Sequence, residues 1–147
     1  MKKGFFDFEN DDGYDFLKKL RINNEEINAF FYLHGICHEF ALGLCETFNY
    51  NIVLWINYDE DINSNVLIHA FNTFKYKGKQ YYIDIRGITD NIDDITDGFD
   101  YFEEVNNLSG CNMKEAISIL KELGLKTDIN SYFYEVINTY KTYYEFK

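Results

Sequence analysis

Apolar residues at Cys37, Phe40, Ala41, Leu44, Cys45 and Phe48 recur with the 3, 4, 7, 8 spacing of one buried helical face, with His38, Glu39 and Glu46 off it. The pattern predicts a helix that opens at about Ile36 or Cys37 and ends at Asn49 to Asn51. Ile52 to Tyr58 is rich in β-branched and aromatic residues and reads as a buried strand. Val66 to Lys75 and Gln80 to Arg86 are two more strands, joined as a hairpin around Tyr76-Lys77-Gly78-Lys79. Upstream, Asn23 or Asn24 opens a first helix with Glu25 and Glu26 in its first turn. It carries Ile27, Phe30, Phe31 and Leu33 and is broken by Gly35. After an acidic loop from Gly87 to Asp100, Met113 to Leu123 makes a helix closed by Gly124, and Asp128 caps a last helix running to about Tyr144. The order α, α, β, β, β, α, α predicts an α+β fold with an antiparallel sheet. No repeat or linker divides the chain, so the reading is one domain over residues 1–147.

Charge and composition narrow what such a domain binds. With 14 basic and 25 acidic residues the net charge is −11, which argues against direct nucleic-acid binding and against an anionic membrane surface. A neutral or basic protein or peptide suits it better. Hydrophobic residues at 46% and aromatic residues at 19% supply the burial that a disordered chain lacks. No leader-like segment is visible behind Met1, because Asp7, Glu9, Asp11 and Asp12 follow at once, and no run approaches the roughly 18 to 20 apolar residues of a membrane span. Cys37, Cys45 and Cys111 are an odd number without metal-ligand spacing. Cys37 and Cys45 stand about 12 Å apart along a helix axis, too far for a disulfide. The expectation is a reduced, cytoplasmic protein with no metal or cofactor.

Candidate chemistry lies in Gly35-Ile36-Cys37-His38-Glu39-Phe40-Ala41, then His69-Ala70-Phe71, then Tyr81-Tyr82-Ile83-Asp84. A thiol is a nucleophile as thiolate, which the unpaired N–H groups of a helix's first turn favour, and the same N–H groups can hold an oxyanion. A base must stand near it and a carboxylate must orient the base. Hairpin parity tests His69 and Asp84 for those roles. A two-residue turn at Lys77-Gly78 sets Tyr76 against Lys79 and His69 against Arg86, with Asp84 on the His69 face. A four-residue loop sets His69 directly opposite Asp84, and only a three-residue loop separates them. The same parity sorts Leu67, His69, Phe71, Tyr82 and Asp84 to one face and Val66, Ile68, Ala70, Ile83 and Ile85 to the other. The Cys37 helix is expected on the first face. Asp84, between Ile83 and Ile85, needs a partner if buried, and Arg86 is placed to be one.

The pattern G-x-C-x-x-x-A, then H-A-aromatic, then aromatic-x-D resembles the transglutaminase-like branch of the papain-like cysteine enzymes over roughly Gly35 to Arg86. In that family the catalytic Cys heads a helix, and the His and Asp lie on following strands. The resemblance implies a papain-like/transglutaminase-like fold with a catalytic triad of Cys37 as nucleophile, His69 as general base and acid, and Asp84 as the orienting group. It also implies hydrolase or acyltransferase action on an amide or thioester bond of a protein. Phe71 stands where the family often has Trp, and no Gln upstream of Cys37 offers an oxyanion donor, a gap that His34 or a backbone N–H can fill. Cys45 and Cys111 read as structural, and His38, about 100° around the helix from Cys37, as exposed. Asp93 to Glu104 partly matches a calcium loop but has Ile95 at its third position and Asp100 where an apolar residue is wanted, so it reads as a solvated loop. A different class also fits the composition: an acidic, non-enzymatic inhibitor or binding protein of phage or mobile-element type, blocking a basic, possibly nucleic-acid-binding, partner surface.

Overall fold

The computed structural model describes residues 4–5, 21–22, 25–26, 37–96, 110–129, 131–139 and 141–145. In chain order these form β1 (Gly4–Phe5), β2 (Arg21–Ile22), β3 (Glu25–Glu26), α1 (Cys37–Phe48), β4 (Asn51–Asp59), β5 (Ser64–Tyr76), β6 (Lys79–Asp84), β7 (Gly87–Thr89), α2 (Ile92–Thr96), α3 (Met113–Glu122), α4 (Ser131–Thr139) and α5 (Lys141–Tyr144). The fold is α+β. Antiparallel strands run in the order β7-β6-β5-β4, with the two residues of β1 added beside β7. β5 and β6 meet at a two-residue turn in which Lys77 and Gly78 have φ of 50° and 78°, and Tyr76 pairs with Lys79 as the two-residue register requires.

Several boundaries differ from the sequence reading. Glu25 and Glu26 do not begin a helix: they pair with Ile22 and Arg21 as a short hairpin. The rest of that expected helix lies outside the described residues. The stretch read as an acidic loop contains β7 and α2. Gly87 and Ile88 pair with Asp84 and Ile83, so the chain after Arg86 returns to the sheet. Asp93 to Thr96 is helical and not the opening of a calcium loop, whose later positions lie outside the described residues. The last helix is described over Ser131–Thr139 and Lys141–Tyr144, and residues 128 and 129 are not helical, so it opens later than an Asp128 cap would place it. The helix at Met113 is as expected, opened by an Asn112–Glu115 capping box.

Pleat alternation divides the core between the two faces of the sheet. Toward α1 point Ile52, Ala70, Ile83 and Ile85. They pack against Phe40, Ala41 and Leu44 of α1, Ala116 and Leu120 of α3, and Phe133, Val136 and Ile137 of α4. The opposite face carries Val53, Trp55, Phe71 and Tyr82 and is covered by Ile95 of α2. A bulge shifts the β4–β5 register, so that Trp55 pairs with His69 but Ile56 pairs with Leu67. That extra residue reverses the parity predicted for the start of β5: Leu67 packs with the α1 cluster and Ile68 with the α2 cluster. Among the described residues, no helix is long and apolar enough to cross a membrane.

Candidate active site

His69 and Asp84 come together as parity requires. His69 is fully buried, stacks on Phe71 with ring centroids 5.7 Å apart, and places Nε2 3.1 Å from Asp84 Oδ2. Asp84 is 3% exposed and is held mainly by Arg86. Arg86 Nη2 donates to Oδ2 at 2.7 Å, Nε lies 3.2 Å from both oxygens, and the Arg86 backbone N–H donates to Oδ1 at 2.8 Å. Nη2 also donates to the Ile95 carbonyl at 2.8 Å, which ties α2 onto this layer. Burial alone would push the Asp84 carboxyl up. The Arg86 guanidinium, with the hydrogen bonds from His69 and Arg86, overcomes it and holds the group down at about 2. Ionised, the carboxylate only accepts, so the bridging proton sits on His69 Nε2 and Nδ1 is the basic nitrogen of the ring.

Cys37 is the first described residue of α1. The helix does not pack where it was expected. It lies on the Ala70, Ile83 and Ile85 face, whereas His69, Phe71, Tyr82 and Asp84 belong to the other. The cause is the pattern of burial: both faces are apolar, and α1 presents Phe40 and Leu44 to the isoleucines of β6 and β7. Cys37 nevertheless reaches β5, through the backbone. Its Sγ accepts the Ala70 N–H at 3.3 Å, one residue along from His69. Among the described residues, no hydrogen bond joins Sγ to the imidazole. The thiol is 6% exposed, and burial pushes it up to about 11. The Asp84 charge adds to the rise, and the N–H groups of Ala70, His38 and Cys37 itself oppose it. The resting group is a neutral thiol, not the thiolate of a preformed ion pair.

No protein-family model, curated protein or solved structure matches the chain. The site therefore rests on its own geometry. His38, read as exposed, is buried at 4% and bonds the Lys126 carbonyl through Nε2 at 3.0 Å; burial holds its pKa below the ordinary value. The helix has protein on that side as well, which a stripe read from α1 alone could not show. Cys45 and Cys111 are free thiols, both raised by burial, and His34 lies outside the described residues. Among the described residues no cluster of His, Cys, Asp or Glu is arranged to hold a metal ion. The partner that sequence reasoning missed is the Ala70 amide, because a main-chain donor leaves no mark in a residue pattern.

Proposed function

We propose that the protein is a papain-like/transglutaminase-like cysteine hydrolase or acyltransferase acting on an amide or thioester bond of a neutral or basic protein or peptide. The observation that supports this reading is the buried His69–Asp84 hydrogen bond of 3.1 Å, beside the amide that bonds Cys37 Sγ. Sγ exchanges the Ala70 N–H for His69 Nδ1, gives up its proton to that nitrogen and attacks the carbonyl carbon. The imidazolium then protonates the leaving amine or thiolate, and water or an amine resolves the acyl-enzyme. In this reading backbone N–H groups at the start of α1 stabilise the oxyanion. Incubation with p-nitrophenyl acetate, followed by peptide mapping, tests the reading. One acetyl group is expected on Cys37, lost in Cys37→Ala and formed at least tenfold more slowly in His69→Ala; acetylation spread equally over Cys37, Cys45 and Cys111 would sink it.

A second reading has its own support in the burial of Cys37 and its raised thiol. In it, the triad residues are a polar core within an acidic binding domain that blocks a basic partner. Partner binding would then survive Cys37→Ala.

A further inference from the structure

The large hydrophobic side chains exposed among the described residues are three: Tyr58 at 56%, Ile62 at 61% and Tyr76 at 42%. They do not scatter over the surface. Tyr58 near the end of β4 and Ile62 within the β4–β5 turn stand with Asp59, Glu60 and Asp61, while Tyr76 lies at the β5–β6 turn among Lys75, Lys77 and Lys79. β5 joins the two turns, and thirteen residues at about 3.3 Å each make it about 40 Å long. An acidic apolar tip and a basic apolar tip thus stand at opposite ends of one strand.

The tips are complementary in charge, and the acidic one is concave. Asn57, Tyr58, Asp59, Glu60, Asp61, Val66 and Ile68 line a groove of about 490 Å³, an acidic rim over an apolar floor. At the other tip Lys79 is paired with Asp90 at 2.6 Å, whereas Lys75 and Lys77 have no carboxylate in ion-pair reach among the described residues. Lys77 also sits at φ 50°, packed over the Tyr76 ring at 5.3 Å. Asn or Gly fits that turn position better than Lys, so Lys77 presents its charge there at a cost in backbone preference.

We propose that the protein associates head to tail, the Lys75–Lys79 tip of one copy seated in the Tyr58–Asp61 groove of the next. The two patches differ, so the contact is heterologous, and association continues beyond a dimer unless the chain of copies closes into a ring. Each copy carries a net charge of −11, which repels its neighbour at low salt. At about 0.15 M salt that repulsion is screened beyond about 8 Å while the tip contacts persist, and at about 1 M the tip contacts weaken too. Association therefore peaks at intermediate salt.

Sedimentation velocity between about 10 μM and 1 mM tests this, with concentrations chosen for a small, weak contact. The wild-type average mass should rise with concentration and pass that of a dimer. Lys75→Glu/Lys77→Glu and Glu60→Lys/Asp61→Lys each spoil one tip, and each alone should remain monomeric with an unchanged circular dichroism spectrum. Mixed one to one they should associate again, to a heterodimer and beyond, since both the intact pair of tips and the charge-reversed pair carry opposite signs. Lys77→Asn should unfold at higher urea yet associate several-fold more weakly. A wild type that sediments as a monomer throughout would overturn the proposal, as would variants that associate like wild type or a mixture that yields no heterodimer.

Discussion

Arg86→Met removes the guanidinium that holds Asp84 and leaves an apolar stem in its place. Arg86 is 2% exposed and Asp84 3%, so the variant buries a carboxylate left with His69 and the backbone N–H of residue 86 as partners and no opposing guanidinium. Removing one member of a buried ion pair costs about 3–5 kcal/mol. Titration supplies an independent scale: lowering the Asp84 carboxyl from 3.8 to about 2 corresponds to about 2 kcal/mol at about 1.4 kcal/mol per tenfold change in proton affinity. In the wild type the folded value lies below the unfolded one, so this stabilisation is complete above about pH 4 and is lost as pH falls towards 2. In Arg86→Met, burial, the largest influence on the group, is opposed by His69 and the residue-86 N–H but no longer by a guanidinium, and the folded value is expected to move above 3.8. The sign then reverses: the variant's contribution from Asp84 is present below about pH 4 and is lost as pH rises. Urea midpoints read by the fluorescence of Trp55, the single Trp and a member of the same layer, should show a cost that is small near pH 3 and grows to several kcal/mol by pH 7. Asp84→Leu/Arg86→Met should recover much of that loss, because no charge is left buried. A cost under about 1 kcal/mol at pH 7, or one independent of pH, would refute the account of the pair.

Gly110 has φ 76°, and a Cβ there would stand 2.8 Å from the Ile52 carbonyl oxygen, the acceptor of the Cys111 N–H bond that ties the start of β4 to the chain entering α3. Gly110→Ala should therefore cost at least about 2 kcal/mol in urea unfolding, from backbone strain and the broken bridge together. Asp84→Asn keeps an oxygen to accept the Arg86 N–H but loses the charge. It should fold, lose the stability rise between about pH 2 and 4, and acetylate Cys37 more slowly than wild type.

Periodicity made the centre of the fold readable. The stripe from Cys37 to Phe48 named α1, β-branched and aromatic runs named β4 to β6, and Lys77-Gly78 set the turn that places His69 and Asp84 on one face. Its limits are equally physical. Alternation counts residues and cannot register a bulge, so Leu67 and Ile68 were sorted to the wrong faces. It cannot choose between two apolar faces either, and α1 was expected over the one that α2 covers. β7 has only three residues, and its pairing depends on β6, not on a pattern of its own.

Asp84 acts on both the carboxylate pair and the path of the chain. Its Oδ1 accepts the N–H of Arg86 two residues on, a side-chain turn that takes the chain through Ile85 and Arg86 and into β7. The last β5–β6 pair is Asn72 with Ile83, so at Ala70, two residues further along β5, the ladder with β6 has ended. It is the Ala70 N–H that bonds Cys37 Sγ. A residue on α1 and an imidazole on the far face of a sheet are otherwise separated by the sheet itself; beyond the Asn72–Ile83 pair no β6 residue pairs with β5 between them. The residue that orients His69 is thus also the one whose turn ends the neighbouring strand, and Arg86 secures both by bonding the same carboxylate and anchoring it to Ile95. This coupling explains why a carboxylate is kept between two buried isoleucines despite its desolvation cost: an apolar residue there would satisfy the core but leave Arg86 uncompensated and the turn unheld.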